Sequence, residues 1–141
     1  MKFSVIIPVY NRPDEMAEML ASLAAQTEKN FEVVVVEDGS TLPCQEEVDR
    51  YAGGLEIQYI TKPNTGRSDT RNVGMKHAKG DSFLFFDSDC ILPPEYIQTL
   101  NRCLQNDYTD CFGGPDRALP TFTDMQKAVN FATLPWMSLS M

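Results

Sequence analysis

Phe3-Ser4-Val5-Ile6-Ile7-Pro8-Val9 is an apolar, β-branched run without polar alternation, the pattern of a strand covered on both faces. Phe31-Glu32-Val33-Val34-Val35-Val36 repeats that character and is broken by Gly39-Ser40. Leu55-Glu56-Ile57-Gln58-Tyr59-Ile60 alternates instead, as a strand at or near a sheet edge does, and Ser82-Phe83-Leu84-Phe85-Phe86 reads as a fourth, buried strand. Helical patterns lie between them. Asn11 is placed to cap a first helix, with Pro13 tolerated in its opening turn. Met16, Met19, Leu20 and Leu23 then fall on one face. Pro43 to Tyr51 reads as a second helix ended by Gly53-Gly54, and residues 66–79 as a third with Gly80 in the C-terminal position glycine favours. Pro93-Pro94 opens a fourth, in which Ile97, Leu100 and Leu104 share a face. Beyond it the pattern weakens to a short strand at Cys111–Gly114 and a helix at Thr123–Ala132. Strands alternating with helices predict an α/β, Rossmann-like fold: a mostly parallel sheet with helices on both faces.

Composition narrows the function classes. A chain of 141 residues makes one domain with a sizeable core. Its net charge of −8 argues against nucleic acid as a partner, because phosphate backbones require clustered Lys and Arg. Cys44, Cys90, Cys103 and Cys111 form no Cys-x-x-Cys pair, so reduced thiols in a cytoplasmic setting are expected. Met1-Lys2 leads into a strand and not a leader segment, and no stretch approaches the ~18 apolar residues of a membrane span. No Ser/His/Asp arrangement, His-Glu-x-x-His, Walker loop or Gly-x-Gly-x-x-Gly is present. Zinc hydrolysis, P-loop chemistry and hydride transfer lose their usual supports.

In a parallel sheet of this kind ligands bind outside the carboxyl ends of the strands, and the unusual polar residues fall there. Asp87-Ser88-Asp89 follows the fourth strand. With the backbone extended, its two carboxylates point the same way and repel unless a cation lies between them. Mg2+ or Mn2+ suits such oxygen ligands; a solvated acidic turn is the plainer alternative. Asp38 follows four valines and should emerge at the rim, to accept from a ligand N–H or a ribose hydroxyl, or to bond its own turn. Tyr10 could lay its ring on a base or cover the first helix. Arg67 and Arg71 share a helix face near an N-terminus suited to anions. They could grip a diphosphate, or brace Asp38 or Asp89. His77 sits late in that helix, as a surface group, and Cys90 is read as packing.

Taken together, Val5-Ile6-Ile7-Pro8-Val9-Tyr10-Asn11-Arg12, Val36-Glu37-Asp38-Gly39-Ser40, Asn64-Thr65-Gly66 through Arg71-Asn72, and Phe86-Asp87-Ser88-Asp89 resemble the donor-binding half of family-two, GT-A-fold inverting glycosyltransferases. The resemblance covers residues 3–115, with Thr70 where the family commonly has Ala. It implies transfer of a sugar from a nucleotide sugar, usually a UDP-sugar, to the hydroxyl of a carbohydrate or lipid-linked acceptor. It further implies that Pro8, Val9 and Tyr10 flank the base and Asp38 bonds its imide. Arg71 would fix the nucleotide site, Asp87 and Ser88 would lie against ribose or donor, and Asp89 would hold a Mn2+ or Mg2+ ion on the diphosphate.

The family's catalytic base lies downstream in a Glu-Asp-type segment with no counterpart here. Asp116 and Asp124 are the late carboxylates, in other contexts. Residues 1–115 are therefore expected to form the nucleotide-sugar-binding domain, and 116–141 the truncated start of an acceptor-side region. The catalytic residue is unassigned. An apolar tail, Phe131 to Met137, could support self-association. The chain alone is expected to transfer little or no sugar, and its full-length parent to be cytoplasmic, at times at the inner membrane face. A noncatalytic nucleotide-binding or assembly module of the same fold is the rival reading.

Overall fold

The computed structural model describes residues 1–113, and the chain divides into a compact unit, Met1–Asp107, and a second beginning at Tyr108. The first unit runs β1 (Phe3–Val9), α1 (Pro13–Ala24), β2 (Phe31–Asp38), α2 (Gln45–Tyr51), β3 (Ile57–Lys62), α3 (Arg67–His77), β4 (Ser82–Phe85) and α4 (Tyr96–Asn106). The four strands form one sheet in the order β3-β2-β1-β4. Every pairing is parallel: Phe3 lies level with Phe31 and Ser82, and Val33 with Ile57. Every strand-to-strand connection but one ends beside its predecessor, and the jump from β3 across to β4 makes β1 the point where strand order reverses.

The two central strands are buried along their whole length, which is why they lack alternation. Their odd-numbered residues (Phe3, Val5, Ile7 and Val9; Phe31, Val33 and Val35) pack in one cluster with Met16, Met19, Leu20 and Leu23 of α1, Val48 of α2, and Ile97 and Leu104 of α4. On the opposite face Ile6, Val34 and Val36 meet Val73 and Met75 of α3. Gly74 lets α3 lie this close: a Cβ there would stand 2.5 Å from the Ile6 side chain. Helices on both faces, as the alternating pattern predicts, give the core its three layers.

Several local expectations change. Asn11 does not cap α1; Arg12 holds that position without a side-chain cap bond. Asn11 adopts φ 52°, and its Oδ1 accepts from the N–H groups of Thr41 and Leu42 at 2.8 and 2.9 Å, so the side chain closes the loop after β2 instead. β2 continues through Glu37 and Asp38, and β3 starts two residues late, at the sheet edge as expected. α3 stops at His77 with Ala78 extended. Gly80 is not its cap; its N–H donates to Ser4 Oγ at 2.8 Å, in a space a Cβ would fill. Pro93 and Pro94 precede α4, and their carbonyls accept from Gln26 Nε2 and Thr27 N just past the end of α1.

The largest correction concerns β4. It is not buried: Phe83 and Phe85 are 42% and 45% exposed, and Leu84 alone points into the core. The cause is position, since among the described residues β4 is the outer strand next to β1 and α3 lies over β1 and β2. Residues 111–113 hold no strand. Gly114, the helix expected at Thr123–Ala132, and Asp116 and Asp124 lie outside the described residues. Among the described residues no helix is long and apolar enough to cross a membrane, and all four cysteines are thiols.

Candidate functional site

The strand period separates two adjacent carboxylates at the end of β2. Glu37 and Asp38 are 3% and 6% exposed, and point to opposite faces of the sheet. Glu37 turns toward the α1–α2 side. Its Oε2 accepts from Tyr59 Oη at 2.6 Å, Cys44 N at 2.9 Å and Cys44 Sγ at 3.2 Å. Its Oε1 accepts from Ser40 Oγ, which in turn accepts from Asn11 N at 2.8 Å. Burial, then the Glu37 charge, pushes the Cys44 thiol upward; burial, then the bond to Glu37, does the same to the Tyr59 phenol. Both stay protonated as donors. Glu37 therefore clamps the loop of residues 39–44.

Asp38 faces the α3 side, as does Pro8, which lies level with Val36. Its Oδ1 accepts from Lys62 Nζ at 2.7 Å and Thr65 N at 2.9 Å, and its Oδ2 from Gly66 N at 3.2 Å. Burial raises the Asp38 pKa, but the Lys62 hydrogen bond, the Thr65 N–H and the Lys62 charge outweigh it and hold the carboxyl below its ordinary value. The Lys62 ammonium also donates to the Pro63 carbonyl at 3.0 Å and to Thr65 Oγ1. These bonds tie the start of α3 to the end of β2. Gly39, at φ +69°, permits the tie, because a Cβ there would stand 2.5 Å from Asn64 N.

Across the rim, Arg71 of α3 donates from Nη2 to Asp87 Oδ1 at 2.8 Å. It braces neither Asp38 nor Asp89. Its Nε is buried and has no hydrogen-bond partner among the described residues. Asp87-Ser88-Asp89 is a turn and not an extension of β4: Cys90 N donates to Asp87 O at 3.2 Å, so the two carboxylates are not set by strand alternation. Ser88 Oγ donates to Glu15 Oε2 of α1 at 3.0 Å. Asp87 and Asp89 are exposed, and no hydrogen bond engages the Asp89 carboxylate among the described residues. Pro8 and Val9 are the buried end of β1, Tyr10 is 51% exposed just past it, and Arg67 is exposed at the first position of α3. His77 is exposed at the far end of that helix and Cys90 packs against the core, as read from sequence.

Lys62, Thr65, Glu15 and Glu37 were not among the sequence candidates. Glu37 was visible only as the neighbour of Asp38, and Lys62 only as a cation just before Asn64. A cleft of about 360 Å³ borders Glu37, Gly39, Ser40, Pro43 and residues 61–63. Its walls include none of Tyr10, Arg71, Asp87 or Asp89, so the groups able to handle a diphosphate sit on the open rim outside it.

Sheet order, parallel strands and a polar rim at their carboxyl ends define a Rossmann-like α/β protein of the GT-A type. The chain belongs to glycosyl transferase family 2, whose sequence model matches residues 4–138. It is 40% identical over 102 residues to the glycosyltransferase GlyA of Streptococcus pneumoniae, a match covering 72% of this chain and 15% of GlyA. It is 36% identical over 114 residues to the poly(ribitol-phosphate) beta-N-acetylglucosaminyltransferase TarS of Staphylococcus aureus, covering 78% of this chain and 20% of TarS. The crystal structure of TarS 1–349 in complex with UDP-GlcNAc superimposes with a TM-score of 0.75 at 35% identity, over 86% of this chain and 37% of that one. The mannosyltransferase PcManGT from Pyrobaculum calidifontis, in complex with GDP-Man and Mn2+, gives 0.62 at 28% identity, over 65% and 28%. The chain thus spans a minor part of each relative's own length.

Proposed function

We propose that residues 1–115 form the donor-binding portion of a metal-dependent transferase, and that residues 116–141 open its acceptor side. The reaction moves a sugar from a nucleotide sugar, a UDP-sugar, to the hydroxyl of a carbohydrate or lipid-linked acceptor. One observation carries it: the Arg71 guanidinium, partly exposed on the rim, donates to Asp87 Oδ1 at 2.8 Å beside the point where strand order reverses. The exposed part of that guanidinium is the group a diphosphate oxygen would meet. The TarS neighbour solved with UDP-GlcNAc supports the donor class.

In this reading Pro8, Val9 and Tyr10 flank the base, with the half-exposed Tyr10 ring free to stack. Asp38 accepts the imide N–H, held ionised by Lys62. Asp87 and Ser88 lie against ribose or donor, the first steadied by Arg71 and the second by Glu15.

The residues fit a hard cation. Asp89 offers an exposed carboxylate with no competing hydrogen bond among the described residues, and Mg2+ or Mn2+ is commonly held by one or two carboxylates with the remaining positions filled by phosphate and water. The PcManGT complex with Mn2+ supports the assignment. An ion held there would supply positive charge against the departing nucleoside diphosphate. The protein's own part is to orient the nucleotide and to place Arg71 and the start of α3 toward that charge. No described residue is assigned as the base for the acceptor hydroxyl, and this chain is expected to transfer little or no sugar.

Titration calorimetry of this chain with UDP tests the proposal. Binding should require Mn2+ or Mg2+, vanish with EDTA, and weaken at least about tenfold in Asp89→Ala, the loss of one charge-assisted contact. UDP binding indifferent to both EDTA and the substitution would remove the metal from the reading, and no binding by the folded chain would remove the donor site.

A further inference from the structure

We infer that Glu15 of α1 sets the cation affinity of this site: its hydrogen bond to Ser88 fixes the Asp87-Ser88-Asp89 turn, and with it the Asp89 carboxylate offered to a divalent ion. The inference rests on the proposed role of Asp89, and Glu15 acts as a positioning residue through Ser88.

Residues 86–95, between β4 and α4, hold neither strand nor helix, so bonds from other elements fix their course. α1 supplies them in a row. Gln26, just past the helix end, donates from Nε2 to Pro93 O at 2.7 Å. Ser22 Oγ accepts from Leu92 N at 3.2 Å. Glu15 Oε2, about two turns before Ser22, accepts from Ser88 Oγ at 3.0 Å. Ser22 and Gln26 are 8% and 2% exposed and belong to the core. Glu15 is the open end of the row, 35% exposed in its side chain, and the member that reaches the acidic turn. From the other side Arg71 of α3 holds Asp87 at 2.8 Å, and Cys90 N closes the turn on Asp87 O at 3.2 Å. Two of the three turn side chains are thus tied, while the Asp89 carboxylate has no hydrogen bond among the described residues. A ligand carried on a turn already braced loses less freedom when an ion arrives, and partners behind a ligand tune its affinity in this way.

The bond carries the effect, and the charge does not. Arg12 Nε lies 3.5 Å from the other Glu15 oxygen and offsets its charge. Glu15 also stands in the first turn of α1, where a carboxylate favours the helix dipole. That contribution needs the charge, whereas Ser88 needs only an acceptor oxygen. Glutamine supplies the second without the first.

Mn2+ titrated into the chain saturated with UDP, followed by the paramagnetic resonance signal of the free ion, tests this, with urea denaturation alongside. Glu15→Ala should weaken Mn2+ binding at least about fivefold and Ser88→Ala by a similar factor. The double variant should lose no more than about twofold beyond either single one, because both remove the same bond. Glu15→Gln should hold Mn2+ within about twofold of the wild-type chain, while its urea midpoint falls as far as that of Glu15→Ala. Unchanged Mn2+ affinity in folded Glu15→Ala overturns the inference. So does Glu15→Gln weakening Mn2+ as much as alanine does, or losses that multiply in the double variant. A wild-type chain that binds UDP without Mn2+, or binds no UDP, removes the proposed cation or donor site and this inference with it. Mn2+-dependent UDP binding insensitive to Glu15 leaves the proposal standing and removes the inference alone.

Discussion

Glu37 and Asp38 are neighbours of similar chemistry with opposite fates. Glu37 turns toward α2 and accepts from Tyr59, Cys44 and Ser40, whereas Asp38 turns toward α3 and the open rim. Removing the Glu37 charge leaves buried donors with a weaker acceptor. Glu37→Gln should therefore lower unfolding stability by about 1–3 kcal/mol, read as a shift in the urea midpoint at constant slope. Arg71 is the contrasting case. Its pair with Asp87 is partly solvated, at 34% and 49% side-chain exposure, so the pair itself adds at most about 1 kcal/mol. Arg71→Ala should leave the urea midpoint nearly unchanged while weakening UDP binding about tenfold or more, the scale of a lost charge-assisted hydrogen bond. A stability loss that matched the binding loss would show that Arg71 merely supports the fold.

At the level of elements, the loops that leave the carboxyl ends of the strands are held by specific bonds. Gly39 carries a left-handed φ of +69° with Asn64 backbone 2.5 Å from any added Cβ. Gly39→Ala should destabilise the protein by at least about 1–2 kcal/mol from backbone strain alone, with the crowding of Asn64 added. β4 makes a second test, since its two faces differ. Leu84 is 4% exposed, and Leu84→Ala should cost about 2–5 kcal/mol. Phe83 and Phe85 are nearly half exposed, and either replaced by Ser should cost clearly less. Equal costs on both faces, measured by chemical denaturation, would contradict the edge position of β4.

Across the whole molecule, ionised carboxylates pin both ends of the sheet. Asp38 serves the carboxyl end. Glu32, buried at the other, accepts from Ser4 Oγ at 2.6 Å, Gln58 Nε2 at 3.0 Å and Lys79 N. Burial acts to raise the Glu32 pKa, but these hydrogen bonds win and hold it below its ordinary value. Both groups have folded pKa values under their unfolded ones, so their stabilisation is present above about pH 4 and lost as pH falls further through the depressed folded values. Urea midpoints should hold steady from pH 7 to about 5 and fall below about pH 4, and Glu32→Gln should flatten that fall.

The layers of the fold could be read directly from residues. Unbroken apolar runs in β1 and β2, the helical spacing of Met16 to Leu23, and the polar breaks after each strand follow from local periodicity. That periodicity reports which faces are covered, and it located the rim holding Asp38, Arg71 and Asp87. It erred at β4, because an apolar run looks the same in a central strand and an outer one; only strand order distinguishes them. It erred at Asn11 and Gly80 because their partners, Thr41 and Ser4, are remote in sequence. The pairing of Lys62 with Asp38 and of Arg71 with Asp87 was equally out of reach. Sequence by itself determined the parallel α/β layers and the rim where polar residues gather, since both follow from the order of local patterns. Tertiary structure alone decided which charge meets which, because hydrogen bonds and ion pairs depend on distances set when separate strands and helices pack together.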